Sequence, residues 1–261
     1  MAEKLKYFVN GQFRESKTDK WYDLHNPSTG EITGQAPCCT NDEVLEAIAA
    51  AKAAYPGWSA TPAIKRAQIL YRVRELILER MDELTMSVAK ENGKVWAESE
   101  GDVLKAKEGT ELATQVPSLM MGESIMDASR GYDTVKYREP LGVFAGIVPV
   151  NFPAMIPFGW MAPTCIATGN TLVLKAASLT PKTAMLFAQL YKDAGVPDGV
   201  INVVTCSRNE INTILEHPDV KGITFVGSTP VGLKIYEKAA ANGKRCQALC
   251  QAKNHALVME D

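Results

Sequence analysis

The sequence lacks both a long uninterrupted apolar run and a cluster of basic residues. Lys and Arg number 28 against 30 Asp and Glu, so the chain is nearly neutral. This balance argues against nucleic acid or an anionic membrane as the main partner. The most apolar stretch, residues 142–168, is interrupted too often by proline and glycine to span a bilayer. A small-molecule partner is therefore favoured.

The sequence also has few residues arranged to bind a metal or to build a disulfide framework. Its three histidines, His25, His217 and His255, are widely scattered, and no Cys-x-x-Cys or Cys/His spacing typical of zinc is present. The opening residues MAEKLKYFVNGQF lack the pattern of a signal peptide. We therefore expect six reduced cysteines, no resident metal and a cytoplasmic protein.

The first half of the sequence predicts a small β-hairpin followed by helices. Asn10-Gly11 lies between two short apolar runs, which is a strong hairpin signal. Thr40 and Glu43 form a capping box for a helix over residues 40–54. Thr61-Pro62 predicts the cap of a second, continuous helix over residues 63–93.

A third helix is predicted from residue 97 toward residue 116, and the following segment is polar and irregular. An exposed strand is predicted near the end of that segment, in TVKYREPLG (134–142). Exposed segments of this kind often pack on another subunit. We therefore expect residues 120–140 to be an oligomerisation arm, with a homo-oligomer as the assembled form.

Beyond residue 140 the pattern changes to short apolar strands that alternate with helices. Strands are predicted at 142–148, 171–175, 200–204 and 222–226, and helices at 153–168, 208–216 and 229–241, with another helix capped by Thr180-Pro181 and ending at Gly195. This alternation predicts an α/β fold, a Rossmann-like doubly wound parallel sheet with helices on both faces. The hairpin and helices of residues 1–119 would precede a core formed by residues 141–261.

Three polar features follow predicted strands, where open parallel sheets bind ligands. Asn151 interrupts the apolar segment GVFAGIVPVNFPAMIPFGW, so we expect it to be buried and used either by the local turn or by a ligand. Lys175 is the last residue of the predicted strand TLVLK, and it is either a solvated strand-end lysine or a ligand contact. GSTPVG (227–232) is either an ordinary capped turn or a phosphate site at a helix N-terminus.

The order of the motifs VPVNFP, GNTLVLKAASLTP, AGVPDGVINVV and FVGSTPVG resembles the coenzyme-binding domain of the NAD(P)-dependent aldehyde dehydrogenase superfamily. NPSTGE, VPSLMMGES, EHPDVKGITFVGS and AKNH (252–255) are similar to its CoA-acylating methylmalonate or malonate semialdehyde branch. The resemblance covers essentially the whole chain. It implies one coenzyme-binding domain over residues 1–261 that binds NAD and an aldehyde, with CoA as co-substrate.

The resemblance also assigns roles to residues. It implies that the Asn151 amide donates to the oxyanion formed when a cysteine thiolate attacks the aldehyde. It places Pro149, Val150, Lys175, Ser178, Gly227 and Ser228 at the coenzyme, with Lys175 on the adenosine ribose and Gly227 and Ser228 at the pyrophosphate. Lys105 and Lys107 lie near an arginine that binds the substrate carboxylate in the semialdehyde branch, and Lys105 is the candidate substrate residue.

Some positions depart from the family pattern. The family nucleophile follows the AKNH strand in a second domain, so none of the six cysteines matches it, and we expect these 261 residues alone to be inactive. Cys246 and Cys250 are interpreted as core residues. Leu249 replaces the glutamate that activates water in hydrolytic members, which favours a thiol such as CoA as acyl acceptor. Ser178 replaces a glutamate of NAD-preferring members, so NADP is expected to be tolerated.

Three hypotheses remain open from the sequence. The first is the coenzyme-binding half of a CoA-acylating semialdehyde dehydrogenase. The second is a free-standing NAD(P)-binding module without catalysis. The third is an interaction protein in which Ser178, Leu249 and Gln251, for which the sequence offers no explanation, mark decayed sites.

Overall fold

The computed structural model describes residues 3–252 and 254–260. Its strands are β1 (Tyr7–Val9), β2 (Gln12–Arg14), β3 (Trp21–His25), β4 (Ile32–Pro37), β5 (Glu123–Ser129), β6 (Tyr132–Lys136), β7 (Val143–Ile147), β8 (Thr171–Lys175), β9 (Ile201–Val204), β10 (Val220–Gly227) and β11 (Arg245–Cys250). Its helices are α1 (Asn41–Ala60), α2 (Ala63–Glu79), α3 (Met81–Asn92), α4 (Trp96–Ala113), α5 (Val116–Leu119), α6 (Ala162–Ala167), α7 (Lys182–Asp193), α8 (Arg208–Glu216) and α9 (Thr229–Ala241), with a π-helical turn at Ile156–Met161.

The central sheet has the strand order β11-β10-β7-β8-β9-β1-β2. The strands from β11 to β9 pair in parallel. Helices α2, α4, α6 and α7 pack on one face, and α1, α8 and α9 pack on the other. Alternate residues of β8 show this division, because Leu172 and Leu174 belong to one core and Val173 to the other. The predicted doubly wound α/β fold is confirmed.

The hairpin forms at Asn10-Gly11 as predicted, with φ values of 50° and 71° that favour Asn and Gly. The hairpin also joins the central sheet, because β1 pairs antiparallel with β9 through Phe8 and Val203. The Asn10 N–H group also donates to Asn202 Oδ1 at 2.9 Å. The hairpin therefore extends the central sheet beyond its last parallel strand.

Helix α1 begins with the predicted Thr40–Glu43 capping box but continues to Ala60, well beyond residue 54. The predicted cap at Thr61 is wrong, since its hydroxyl donates to the Gly57 carbonyl at the end of α1 and α2 has no side-chain cap. The predicted continuous helix over 63–93 is divided into α2 and α3 at Arg80, whose φ of −111° is outside the helical range.

The predicted Thr180-Pro181 cap of α7 is also wrong. The Thr180 hydroxyl donates instead to the Val150 carbonyl at 3.4 Å. The first N–H groups of α7 are capped by Glu91 from α3, which accepts from Lys182 N at 2.8 Å and from Thr183 N at 3.0 Å. A buried carboxylate distant in sequence thus replaces the local cap.

The predicted proline-kinked helix at 153–168 is a π-helical turn followed by α6. Glycines allow α4 to pack closely on this turn. A Cβ atom at Gly109 would lie 2.0 Å from the Gly159 carbonyl oxygen. The close approach brings α4 beside the segment that follows β7.

The segment predicted to be irregular forms an antiparallel ribbon of β5 and β6, and every residue of both strands is exposed. Its second strand ends at Lys136, so the predicted strand in 134–142 is only partly present. The AKNH strand is not observed at Ala252, Asn254 or His255, which follow β11, and Lys253 lies outside the described residues.

Candidate functional site

The order of the strands defines a switch point in the sheet. After β7 the chain adds β8 and β9 on one side, and then returns to add β10 and β11 on the other. The carboxyl ends of β7 and β10 therefore flank the position where ligands bind in open α/β sheets. Asn151 follows β7, and Gly227 and Ser228 connect β10 to α9.

A groove of about 1110 Å³ lies between α8 and α9, at the carboxyl ends of β7, β8 and β9. We call it the α8–α9 groove. Its base contains Lys175, at the end of β8, and Cys206, just after β9. Its walls combine apolar residues with Arg208 and Lys234. The groove can accept a flat or partly apolar group that carries hydroxyl or anionic substituents.

Lys175 is the most informative charge in this groove. Burial lowers the pKa of its ammonium group, and among the described residues no side chain or carbonyl accepts a hydrogen bond from it. The nearby Cys206 thiol does not neutralise this charge, because burial raises its pKa to about 12. A half-buried ammonium without a protein acceptor requires water or a ligand to satisfy it.

A second cavity, of about 510 Å³, lies at the switch point itself. We call it the switch-point cavity. It is lined by Pro149, Asn151, Phe152, Met155, Ile156, Trp160, Val226, Gly227, Ser228, Leu249, Cys250, Gln251 and Ala252. It therefore brings together four residues that the sequence predicted from separate motifs, namely Pro149, Asn151, Gly227 and Ser228.

Asn151 is exposed, so the expectation of a buried amide is wrong. The loop after β7 carries it out of the apolar segment to the edge of the sheet. No hydrogen bond joins its side chain to another residue in the described part of the chain. The local turn therefore does not use the amide, which lines the cavity and can donate to a ligand there.

The first turn of α9 separates the two cavities. Ser228 lines the switch-point cavity, while Pro230 and Val231 line the α8–α9 groove. Ser228 occupies the N-cap position, but its side chain makes no capping hydrogen bond. Its hydroxyl and the first N–H groups of α9 can therefore contact an anion that bridges the two cavities.

The side of the switch-point cavity formed by β11 is largely apolar. Leu249 is 45% exposed there. Cys250 packs so closely against α9 that a Cβ atom at Gly232 would lie 2.3 Å from its Sγ atom. Gln251 Oε1 accepts a hydrogen bond from Thr229 Oγ1 at 3.3 Å, which ties the end of β11 to the start of α9. This contact gives Gln251 a structural role that the sequence did not reveal.

The other predicted site residues lie outside these linings. The Val150 carbonyl accepts a hydrogen bond from Asn92 Nδ2 at 2.8 Å. Ser178 is half-buried in the turn after β8 and lines neither cavity. Lys105 is exposed, bonds to Glu108 Oε2 at 2.7 Å and also lines neither cavity. Their proposed ligand roles stay predictions.

Sequence reasoning missed Cys206, Ser207 and Arg208, all of which line the α8–α9 groove. A usable signal existed, because the rule that identified Lys175 at the end of β8 applies equally to the end of β9. Ser207 and Glu210 also form a capping box that marks the strand-to-helix turn there.

Two further features are absent from residues 3–252 and 254–260. No group of three or more His, Cys, Asp and Glu side chains in these ranges is arranged to hold a metal ion. Within the same ranges, no helix combines the length and hydrophobicity that crossing a membrane requires.

Comparisons with known proteins agree on one family. The profile of the aldehyde dehydrogenase family matches residues 13–261. Malonate-semialdehyde dehydrogenase 2 of Geobacillus kaustophilus is 46% identical over 260 residues, which are 100% of this chain and 54% of that protein. The acylating mitochondrial methylmalonate-semialdehyde/malonate-semialdehyde dehydrogenase of Rattus norvegicus is 45% identical over 98% of this chain and 48% of that protein.

Solved structures give the same result. A Sinorhizobium meliloti protein, assigned as a methylmalonate-semialdehyde dehydrogenase and solved with NAD, has a TM-score of 0.95 and 36% identity over 98% of this chain and 52% of that chain. Methylmalonate-semialdehyde dehydrogenase of Oceanimonas doudoroffii has a TM-score of 0.94 and 40% identity, with the same coverage. The chain spans about half the length of the curated relatives it matches.

Proposed function

The chain belongs to the aldehyde dehydrogenase family, and from that premise we propose that it forms the nicotinamide-coenzyme site of a semialdehyde dehydrogenase. The observation that carries this proposal is the first turn of α9, which separates a groove containing Lys175 from a cavity containing Asn151. A dinucleotide has two halves joined by a pyrophosphate. The two cavities would each accept one half, and the turn between them would accept the pyrophosphate.

The residues present fit such a coenzyme. The unpaired Lys175 ammonium would donate to ribose hydroxyls in the α8–α9 groove. Ser228 Oγ and the N–H groups at the start of α9 would bind the pyrophosphate, since no side chain caps them. Arg208, Lys234 and Lys238 add positive charge to the groove lining and Glu237 adds one negative charge. Ser178 carries no charge that would repel a 2′-phosphate. We therefore expect NAD to bind and NADP to be tolerated.

Asn151 is proposed to donate its side-chain amide to the substrate oxygen in the switch-point cavity. Its amide has no protein partner in the described chain and lines the same cavity as Gly227 and Ser228. When bound there, the nicotinamide ring would supply hydride acceptance. A preorganised donor at a developing oxyanion typically contributes about 3–4 kcal/mol to transition-state stabilisation.

Leu249 supports CoA, and not water, as the acyl acceptor. Its hydrocarbon side chain lines the switch-point cavity and cannot remove a proton from water. A thiol acceptor such as CoA needs less help, because its thiolate is accessible near neutral pH. The relatives' names add malonate and methylmalonate semialdehyde as the substrates to test first.

A coenzyme-binding module without catalysis is the second candidate, and the state of the thiols favours it. Burial raises the pKa of Cys39 and Cys206 to about 12, so both remain protonated near neutral pH. Cys250 lines the switch-point cavity but packs against α9 at Gly232. These 261 residues alone are expected to be inactive under either candidate, so the test supplies the second domain of the family together with semialdehyde, NAD and CoA. CoA-dependent NADH formation then supports the enzyme, whereas coenzyme binding without turnover supports the module.

We also propose that the ribbon of β5 and β6 packs on a second copy of the chain. A two-stranded hairpin is marginally stable by itself in water, and here both faces of both strands are exposed. Ile125 and Val135 are among the large apolar side chains that it presents to solvent. Pairing or packing with another copy would cover them.

The coenzyme proposal is tested by titrating the protein with NADH and with 5′-AMP. Lys175→Ala should raise both dissociation constants roughly tenfold or more, the effect of losing one hydrogen bond from a charged donor. Lys65→Ala is the matched control, because Lys65 is an exposed lysine on α2, outside the residues that line either cavity. Absence of NADH binding at millimolar concentration would overturn the coenzyme site. Dissociation constants that are the same in Lys175→Ala as in the parent protein would overturn the role of Lys175.

A further inference from the structure

The loop from Pro149 to Met155 is held on both sides of Asn151 by side chains from neighbouring helices. On one side, Asn92 Nδ2 at the end of α3 donates to the Val150 carbonyl at 2.8 Å. On the other side, Asp102 Oδ1 in α4 accepts from the Met155 N–H group at 2.7 Å. Both bonds fix backbone groups, so they restrict the path of the loop irrespective of its side chains.

Lys94 connects α4 to the loop of residues 149–155. Its ammonium group bonds to Asp102 Oδ2 at 3.1 Å and lies 3.9 Å from the centroid of the Phe152 ring. The Lys94 side chain is 18% exposed and that of Asp102 is fully buried. Burial raises the pKa of the Asp102 carboxyl, an effect that the Met155 N–H group and the Lys94 ammonium oppose.

A buried ion pair of this kind is weak evidence for stability. Replacing such pairs by apolar side chains of similar volume is often neutral or stabilising, because the charges no longer need to be desolvated. The contacts that Lys94 and Asp102 make with the loop are therefore the more informative feature. Asn151, Phe152 and Met155 all line the switch-point cavity, and the Asn151 amide has no bond of its own to fix its position in the described structure.

We propose that Asn92, Lys94 and Asp102 are positioning residues that hold the loop of residues 149–155 so that Asn151 faces the bound nicotinamide half of the coenzyme. This inference rests on the proposed coenzyme site. None of the three residues lines either cavity, so they act on a bound ligand only through the loop. None of them lines the α8–α9 groove, where the adenosine half would bind, so replacing them should not change binding in that groove.

The test compares the binding of NADH with that of 5′-AMP in three variants. Asp102→Ala and Asn92→Ala each remove one bond to the loop, and both should raise the NADH dissociation constant by roughly three- to tenfold. Their dissociation constants for 5′-AMP should stay within about twofold of the parent protein. The double variant K94M/D102L replaces the buried pair by apolar groups, so it should lose less thermal stability than Asp102→Ala while NADH binding stays weak.

Thr110→Ala is the matched control. Thr110 is also buried in α4, and its hydroxyl donates to the Ala106 carbonyl of the same helix at 2.9 Å. This variant should be less stable but keep the parent ratio of NADH to 5′-AMP affinity. The positioning role would be overturned if Asp102→Ala and Asn92→Ala weakened the binding of NADH and of 5′-AMP equally. Normal NADH binding by K94M/D102L would also overturn it.

Hydrogen exchange of the peptide that covers residues 149–156 gives a readout without coenzyme. Its backbone amides should exchange faster in Asp102→Ala and K94M/D102L than in the parent, because the Met155 N–H group loses its acceptor. If the parent protein bound neither NADH nor 5′-AMP, the proposed function would fail. Unchanged exchange in the variants would refute the restraint on the loop in either case.

Discussion

Glu91→Gln isolates the energetic cost of a charge buried between two helices. Glu91 is buried, and its two carboxylate oxygens accept the first N–H groups of α7, from Lys182 and Thr183. These bonds and the helix N-terminus favour the ionised form. Burial has the larger effect and raises the pKa of Glu91 from 4.5 to about 7.

The pKa shift fixes the sign and size of the effect. The native state keeps a proton on Glu91 that the unfolded chain releases above pH 4.5, so raising the pH through about 7 destabilises the native state. A shift from 4.5 to about 7 corresponds to roughly 3 kcal/mol. Between about pH 5 and about pH 8 the loss is roughly 2–3 kcal/mol, because part of it occurs below that interval.

The measurement is the free energy of unfolding of the parent protein and of Glu91→Gln, by urea titration at several pH values. Glutamine cannot ionise, and all other titrating groups are common to both proteins, so the difference reports Glu91 alone. We expect Glu91→Gln to gain about 2–3 kcal/mol relative to the parent protein as the pH rises from about 5 to about 8. A difference that stays constant to within about 0.5 kcal/mol would show that the hydrogen bonds offset burial and would refute the reasoning.

Two further predictions follow from close packing and from exposure. Gly232→Ala should destabilise the protein by about 1–3 kcal/mol, because its Cβ atom would lie 2.3 Å from Cys250 Sγ, and adding Cys250→Ala should recover part of the loss in thermal melts. No recovery in the double variant would exclude Cys250 as the obstacle. If the ribbon forms the proposed interface, Ile125→Asp should give a smaller mass by light scattering than the parent protein, since Ile125 is 60% exposed on the ribbon. An unchanged mass would argue against the ribbon as the interface.

The parts of the fold that the sequence predicted well depend on local signals. The strand β8 is an apolar run, and α8 and α9 begin at local signals, the capping box of Ser207 and Glu210 and the proline at position 230. The sequence placed Asn151, Lys175 and Gly227-Ser228 at strand ends, and the structure has Asn151, Gly227 and Ser228 in one cavity and Lys175 in the neighbouring groove. These signals lie within a few residues of the structures they determine.

The features that the sequence did not predict depend on residues far apart in the chain. Glu91 caps α7 from 91 residues away, and Asp102 holds Met155 from 53 residues away. No local pattern around Thr180 reveals that the N-terminus of α7 is capped by a residue from another helix. Asn151 was expected to be buried because its neighbours in sequence are apolar, yet exposure depends on where β7 ends relative to the rest of the sheet.

The pairing of β1 with β9 has a consequence for synthesis. Asn10 bonds to Asn202 across 192 residues, so the hairpin is made long before its partner strand. At translation rates of about 5–20 residues per second, β1 waits roughly 10–40 s on the ribosome with one edge open. β1 therefore cannot dock on the central sheet before β9 has been synthesised, and chaperone binding to a nascent chain should concentrate on Tyr7, Phe8 and Val9 until β9 emerges.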